Sequence, residues 1–142
     1  MYKILLVEDN PVNSANINSL FKEFCQLHIT SSAAIALNLT AANKYNLVMI
    51  DTDLRSGSGI DTASSIRKMN GYNSVPIVAF SMIKLSGSKE YLLTQGYSHF
   101  ITEPFNSRNF AQHIKFILAS QININDHIFM KTEKNPIPKV DY

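Results

Sequence analysis

Cysteine is nearly absent from this 142-residue chain, and the one present, Cys25, has no second thiol with which to close an internal disulfide. A disulfide-stapled scaffold is thereby excluded, and the neighbours Phe21, Phe24 and Leu27 mark Cys25 as a buried, inert thiol rather than a redox or nucleophilic one. The expected compartment is the reducing cytoplasm. Long apolar runs are missing too. Nothing approaches the ~18 consecutive apolar residues of a membrane span, and the N-terminal MYKILLVEDN turns acidic too soon for a secretory signal. A soluble, unprocessed protein without membrane association is the expectation. There is also no basic run, aromatic interleaving or recognition-helix signature. The formal net charge of +2 comes from scattered Lys and Arg, which argues against direct nucleic-acid binding. Internal repeats and low-complexity tracts are lacking as well.

What the chain does hold is 45% hydrophobic residues, enough to bury the core of a single domain without disulfides or metal. Five short runs rich in Ile, Val, Leu and Phe, at 3–7, 27–30, 46–50, 76–80 and 98–102, read as strands. Between and after them lie segments of helical period. The first opens at Pro11, a residue suited to a first helical turn, and carries Ile17, Leu20, Phe21 and Phe24 on one face. The others span 33–42, 60–69, 89–96 and 107–119, the last with Phe110, Ile114, Ile117 and Leu118 aligned. Strict β-α alternation implies a parallel sheet, and runs such as LVMI, apolar at every position, imply strands covered on both faces. The expected architecture is a flavodoxin-like (βα)5 domain, a doubly wound five-stranded parallel sheet of strand order 2-1-3-4-5 over residues 1–120. After Ser120 periodicity fades and two prolines appear, so 121–142 reads as a C-terminal tail, or as a linker to an output domain outside this chain.

Open parallel sheets build their sites beyond the carboxyl ends of the strands. Here those ends are mostly acidic: Glu8 and Asp9 after the first strand, Asp51 and Asp53 after the third, Ser81 after the fourth, and Thr102, Glu103 and Pro104 after the fifth. Solvated acids at strand ends explain any one of these but not the ordered series. The set VEDN, Asp51, Gly59 in GID, Ser81 and the x-Pro pair resembles the receiver domains of bacterial response regulators, over about residues 1–120.

That resemblance implies a phosphoacceptor role for Asp51. It implies Mg2+, or another divalent cation, held by Asp9, Asp51 and the Asp53 backbone carbonyl, with Glu8 acting through water. A carboxylate attacks a phosphoryl group only when a hard dication offsets the crowded charge, which clustered oxygens can hold. Ser81 would hydrogen-bond a phosphoryl oxygen, against the plainer reading of a capping serine. Phe100 stands at the family's switch aromatic; lacking a hydroxyl, it reads equally as a fixed core ring. The implied partners are a histidine kinase or histidine phosphotransfer protein, and a downstream target on the face formed by the fourth helix, fifth strand and fifth helix. On that face Tyr91, Tyr97, Gln112 and His113 are expected exposed and Phe116 buried. A homodimer is compatible with the same resemblance.

Two departures stand out. Glu103 occupies the place where the family keeps a lysine that pairs with the phosphoryl group. Two unit charges about 4 Å apart interact by roughly 4 kcal/mol at an effective dielectric near 20, so attraction has become repulsion of comparable size before screening. Met82 follows Ser81 where a small residue is usual. Lys84 and Arg55 are near enough in sequence to substitute for the cation, although solvation is the simpler reading of each. The expectation is therefore a non-enzymatic phosphoacceptor, at most catalysing its own phosphotransfer and dephosphorylation. The alternative is a pseudo-receiver, a phosphorylation-independent interaction module. A haloacid-dehalogenase phosphatase built on Asp51 and Asp53 fails because that motif closes the first strand of its fold. A flavin-binding flavodoxin fails because EDNPVN is acidic rather than a phosphate cradle.

Overall fold

Among the described residues, strands of three to six residues alternate strictly with helices to give ten elements. The computed structural model describes residues 1–55, 57–81, 88–101 and 107–126, the last segment with side chains for 109–121. In chain order they are β1 (Tyr2–Val7), α1 (Pro11–Phe21), β2 (Cys25–Thr30), α2 (Ala33–Ala42), β3 (Leu47–Asp51), α3 (Gly59–Arg67), β4 (Ile77–Phe80), α4 (Lys89–Thr94), β5 (His99–Ile101) and α5 (Ser107–Asp126). The strands form one parallel sheet of order β2-β1-β3-β4-β5, the expected flavodoxin-like topology.

Because successive strand residues face opposite sides, each strand feeds two cores. On one side Ile4, Leu6, Leu47, Met49, Val78, Phe80 and Ile101 meet Ile17 and Phe21 of α1 and Phe110, Ile114 and Leu118 of α5. On the other, Leu5, Val7, Val48, Ile50, Ile77, Ala79 and Phe100 meet Ala36 of α2, Ala63 and Ile66 of α3 and Leu92 of α4. Cys25 is buried in the first core, and burial pushes its thiol up to about 11, consistent with an inert side chain.

Four helices start where a short polar side chain captures free N–H groups of the first turn. Asn10 Oδ1 accepts from the Val12 and Asn13 amides at 2.9 and 3.1 Å, with Pro11 at the first helical position. Ser32, Ser58 and Ser88 do the same for Ile35, Asp61 and Tyr91, each at 3.1 Å. At the far end of α3, Arg67 joins three segments. Its guanidinium donates to the carbonyls of Tyr72 (2.8 Å) and Val75 (2.6 Å) ahead of β4, and twice to that of Gly96 (3.0 and 2.7 Å) ahead of β5.

Helix α5 ends later than its periodicity indicates, at Asp126 rather than 119. Nothing from Gln121 to Asp126 is a glycine or proline, and Gln121 Nε2 donates to the Ser74 carbonyl at 3.1 Å, so the helix continues past its last buried leucine. Strand β2 begins two residues ahead of the expected 27, because Cys25 is drawn into the core.

Candidate functional site

Register assembles the site. Val7 lies opposite Ile50, and Asp51 opposite Phe80, so the residues that follow β1, end β3 and follow β4 arrive side by side. The ladder runs one step beyond the strands through Glu8 N–H to Thr30 O (3.0 Å), Thr52 N–H to Phe80 O (3.0 Å) and Ser81 N–H to Ile101 O (3.1 Å). Glu8, Asp51 and Ser81 are consequently buried at 2%, 7% and 1% exposure.

The carboxylates of Glu8, Asp9 and Asp51 each place an oxygen within 4.8 Å of the others. Local donors hold them there. Glu8 accepts from the Asn10 amide (3.0 Å) and from Asn13 Nδ2 (3.3 Å), Asp9 Oδ2 from the Arg55 amide (2.6 Å), and Asp51 Oδ1 from the Asp53 amide (2.9 Å). Burial, and then a hydrogen bond shared with Asp51, push Glu8 up to about 7, with the Asn10 amide opposing. Three hard oxygen donors at this spacing suit a divalent cation such as Mg2+.

Ser81 Oγ donates to Asp53 Oδ2 at 3.2 Å. The Asp53 side chain, expected from the sequence as a further acid beside the site, is engaged with the serine. Arg55 is exposed and meets Asp9 through its backbone amide. Phe100 is buried in the α2, α3 and α4 core. Glu103, with Thr102, Pro104, Met82 and Lys84, lies outside the described residues.

The expected partner face needs two corrections. Tyr97 is 2% exposed rather than on the surface, because after the turn at Gly96 it enters the core formed with α2, α3 and α4. Phe116 is 41% exposed rather than buried, since α5 turns Ile114, Ile117 and Leu118 to the sheet and leaves Phe116 on the other side. Tyr91 and Gln112 are exposed and His113 is half-buried. Sequence reasoning missed the consequence for Tyr97, whose phenol is pushed well up by burial and then by the Asp51 charge. A glycine just ahead of a buried strand was the available signal.

The family profile of the response regulator receiver domain matches residues 4–115. The chain is 27% identical over 114 residues to the sensor histidine kinase GacS of Pseudomonas protegens, covering 78% of this chain and 12% of that protein. It thus spans only a small part of that relative. It is 23% identical over 117 residues to the polar-differentiation response regulator DivK of Brucella anthropi, covering 82% of this chain and 95% of DivK. Among solved structures, the receiver domain of sensor histidine kinase PA1611 from Pseudomonas aeruginosa, with a magnesium ion coordinated in its active-site cleft, superposes with a TM-score of 0.72 at 26% identity. It covers 86% of this chain and 98% of that one.

Proposed function

Because this chain belongs to the response regulator receiver domain family, we propose that it is a cytoplasmic phosphoacceptor taking a phosphoryl group on Asp51 from a histidine kinase or histidine phosphotransfer protein. The observation that carries this reading is the convergence of the Glu8, Asp9 and Asp51 carboxylates at the tips of β1 and β3. A carboxylate oxygen of Asp51 forms the new bond to phosphorus as the bond from phosphorus to the donor imidazole nitrogen breaks, leaving an acyl phosphate. Glu8, Asp9, Asp51 and the Asp53 carbonyl would hold Mg2+. When bound, the cation offsets the negative charge of carboxylates and phosphoryl oxygens. Ser81, buried beside Asp51, would exchange its bond to Asp53 for one to a phosphoryl oxygen. Output would pass through the face formed by α4, β5 and α5, where Tyr91 and Phe116 stand exposed. The reading assigns no reaction on a separate substrate.

A second reading, the phosphorylation-independent pseudo-receiver, is favoured by one observation, the acid Glu103 where the family has lysine. Incubation with a small acyl phosphate and Mg2+, read by intact mass, separates the two. The phosphoacceptor reading expects an adduct on the wild type, none on Asp51→Asn and a higher yield on Glu103→Lys, which returns an ammonium to the phosphoryl oxygens. An adduct on Glu103→Lys alone supports the pseudo-receiver. An adduct that persists on Asp51→Asn removes Asp51 from the chemistry.

A further inference from the structure

Two buried side-chain polar atoms among the described residues have no hydrogen-bond partner, Thr52 Oγ1 and Tyr97 Oη. Both lie near Asp51, Thr52 as the next residue and Tyr97 across the Gly59 position. Leaving a buried hydroxyl unpaired is costly, so a phenol where phenylalanine would fill the same space calls for a use.

The geometry indicates one. A methyl group built on Gly59 would lie 3.1 Å from the Asp51 carbonyl oxygen and 3.1 Å from Tyr97 Oη. Donor and acceptor therefore face the same small gap beside Gly59 yet form no hydrogen bond in this state. The delivery of Tyr97 is fixed. Gly96 adopts φ +109, where side chains are rarely tolerated, and a Cβ there would meet the Ala63 carbonyl at 3.1 Å. Arg67 pins the Gly96 carbonyl with two donors. The Asp51 side of the gap, by contrast, is held by bonds that phosphorylation would disturb. Asp51 Oδ1 accepts the Asp53 amide, and Asp53 Oδ2 accepts the Ser81 hydroxyl. An acyl phosphate is a weaker acceptor than a carboxylate, and Ser81 cannot serve Asp53 and a phosphoryl oxygen equally.

Resting on the phosphoacceptor reading, we propose that Tyr97 is a positioning residue of this site: its hydroxyl is a reserved donor that bonds the Asp51 carbonyl once the turn from Asp51 to Asp53 shifts on phosphorylation. A group unpaired in one state and paired in the other favours the second by that difference. Tyr97 stabilises the phosphorylated form without touching the phosphoryl group.

The test is Tyr97→Phe, which keeps the ring and removes the hydroxyl. Urea unfolding of the resting protein is expected to show equal or greater stability, since an unpaired hydroxyl has gone. The half-life of the acyl-phosphate adduct, followed by intact mass after removal of the small phosphodonor, is expected to fall severalfold. Gly59→Ala, which wedges a methyl between hydroxyl and carbonyl, should shorten the half-life in the wild type and add little in the Tyr97→Phe background. Equal half-lives for wild type and Tyr97→Phe overturn the role and leave the phosphoacceptor reading standing. A resting protein markedly destabilised by Tyr97→Phe also overturns it, because the hydroxyl then has a partner already. No adduct on wild type, Tyr97→Phe or Glu103→Lys overturns the phosphoacceptor reading and the Tyr97 role together.

Discussion

Among single residues, Glu8 shows most directly how the site sets its own chemistry. Its ordinary pKa of 4.5 rises to about 7 in the fold, chiefly through burial. Between those values the folded state holds the proton that the unfolded chain has released. This group's contribution to stability is therefore full below about pH 4.5 and lost as pH rises through about 7. Urea unfolding of the metal-free protein should show that decline, and Glu8→Gln should flatten it. Mg2+ requires the ionised carboxylate, so its affinity should climb over the same interval. The acids themselves were legible in the sequence because each directly follows an apolar strand. The bond from Ser81 to Asp53 and the inward course of Tyr97 were not. Both depend on where a loop aims a side chain, which residue type and spacing leave undetermined.

At the scale of elements, the five strands and five helices could be read from the chain because apolar runs and helical periods alternate without ambiguity. What escaped was the end of α5, where a mixed Ile and Asn segment without breakers stays helical, and the way element ends are tied together. Arg67 does most of that tying. Arg67→Lys keeps the charge but gives up the planar fork that reaches the carbonyls of Tyr72, Val75 and Gly96 at once. With hydrogen bonds to a charged group contributing about 1.5–3 kcal/mol each, and one of the three carbonyls recoverable by lysine, a loss of at least about 3 kcal/mol is expected in urea unfolding. The loss should come with little change in helix content by circular dichroism, because the ends of α3 and the turns before β4 and β5 loosen while the helices remain.

For the molecule as a whole, a cation held only by the folded state raises stability by mass action, about 2.7 kcal/mol at a concentration 100 times the dissociation constant. Millimolar Mg2+ should accordingly raise the midpoint of thermal unfolding over that in a chelator, and Asp51→Asn should remove most of the rise. An unmoved wild-type midpoint would show that the acidic cluster does not hold the metal. The family and topology were legible at this scale because they follow from the order of elements. The division into two cores has a mechanical consequence. The three-residue β5 hangs on β4 alone at the rim of the sheet, with Phe100 set in one core and Ile101 in the other. Rolling that strand about its axis presses one side chain down as it lifts the other. A single twist at the edge would therefore be felt in both helical layers at once.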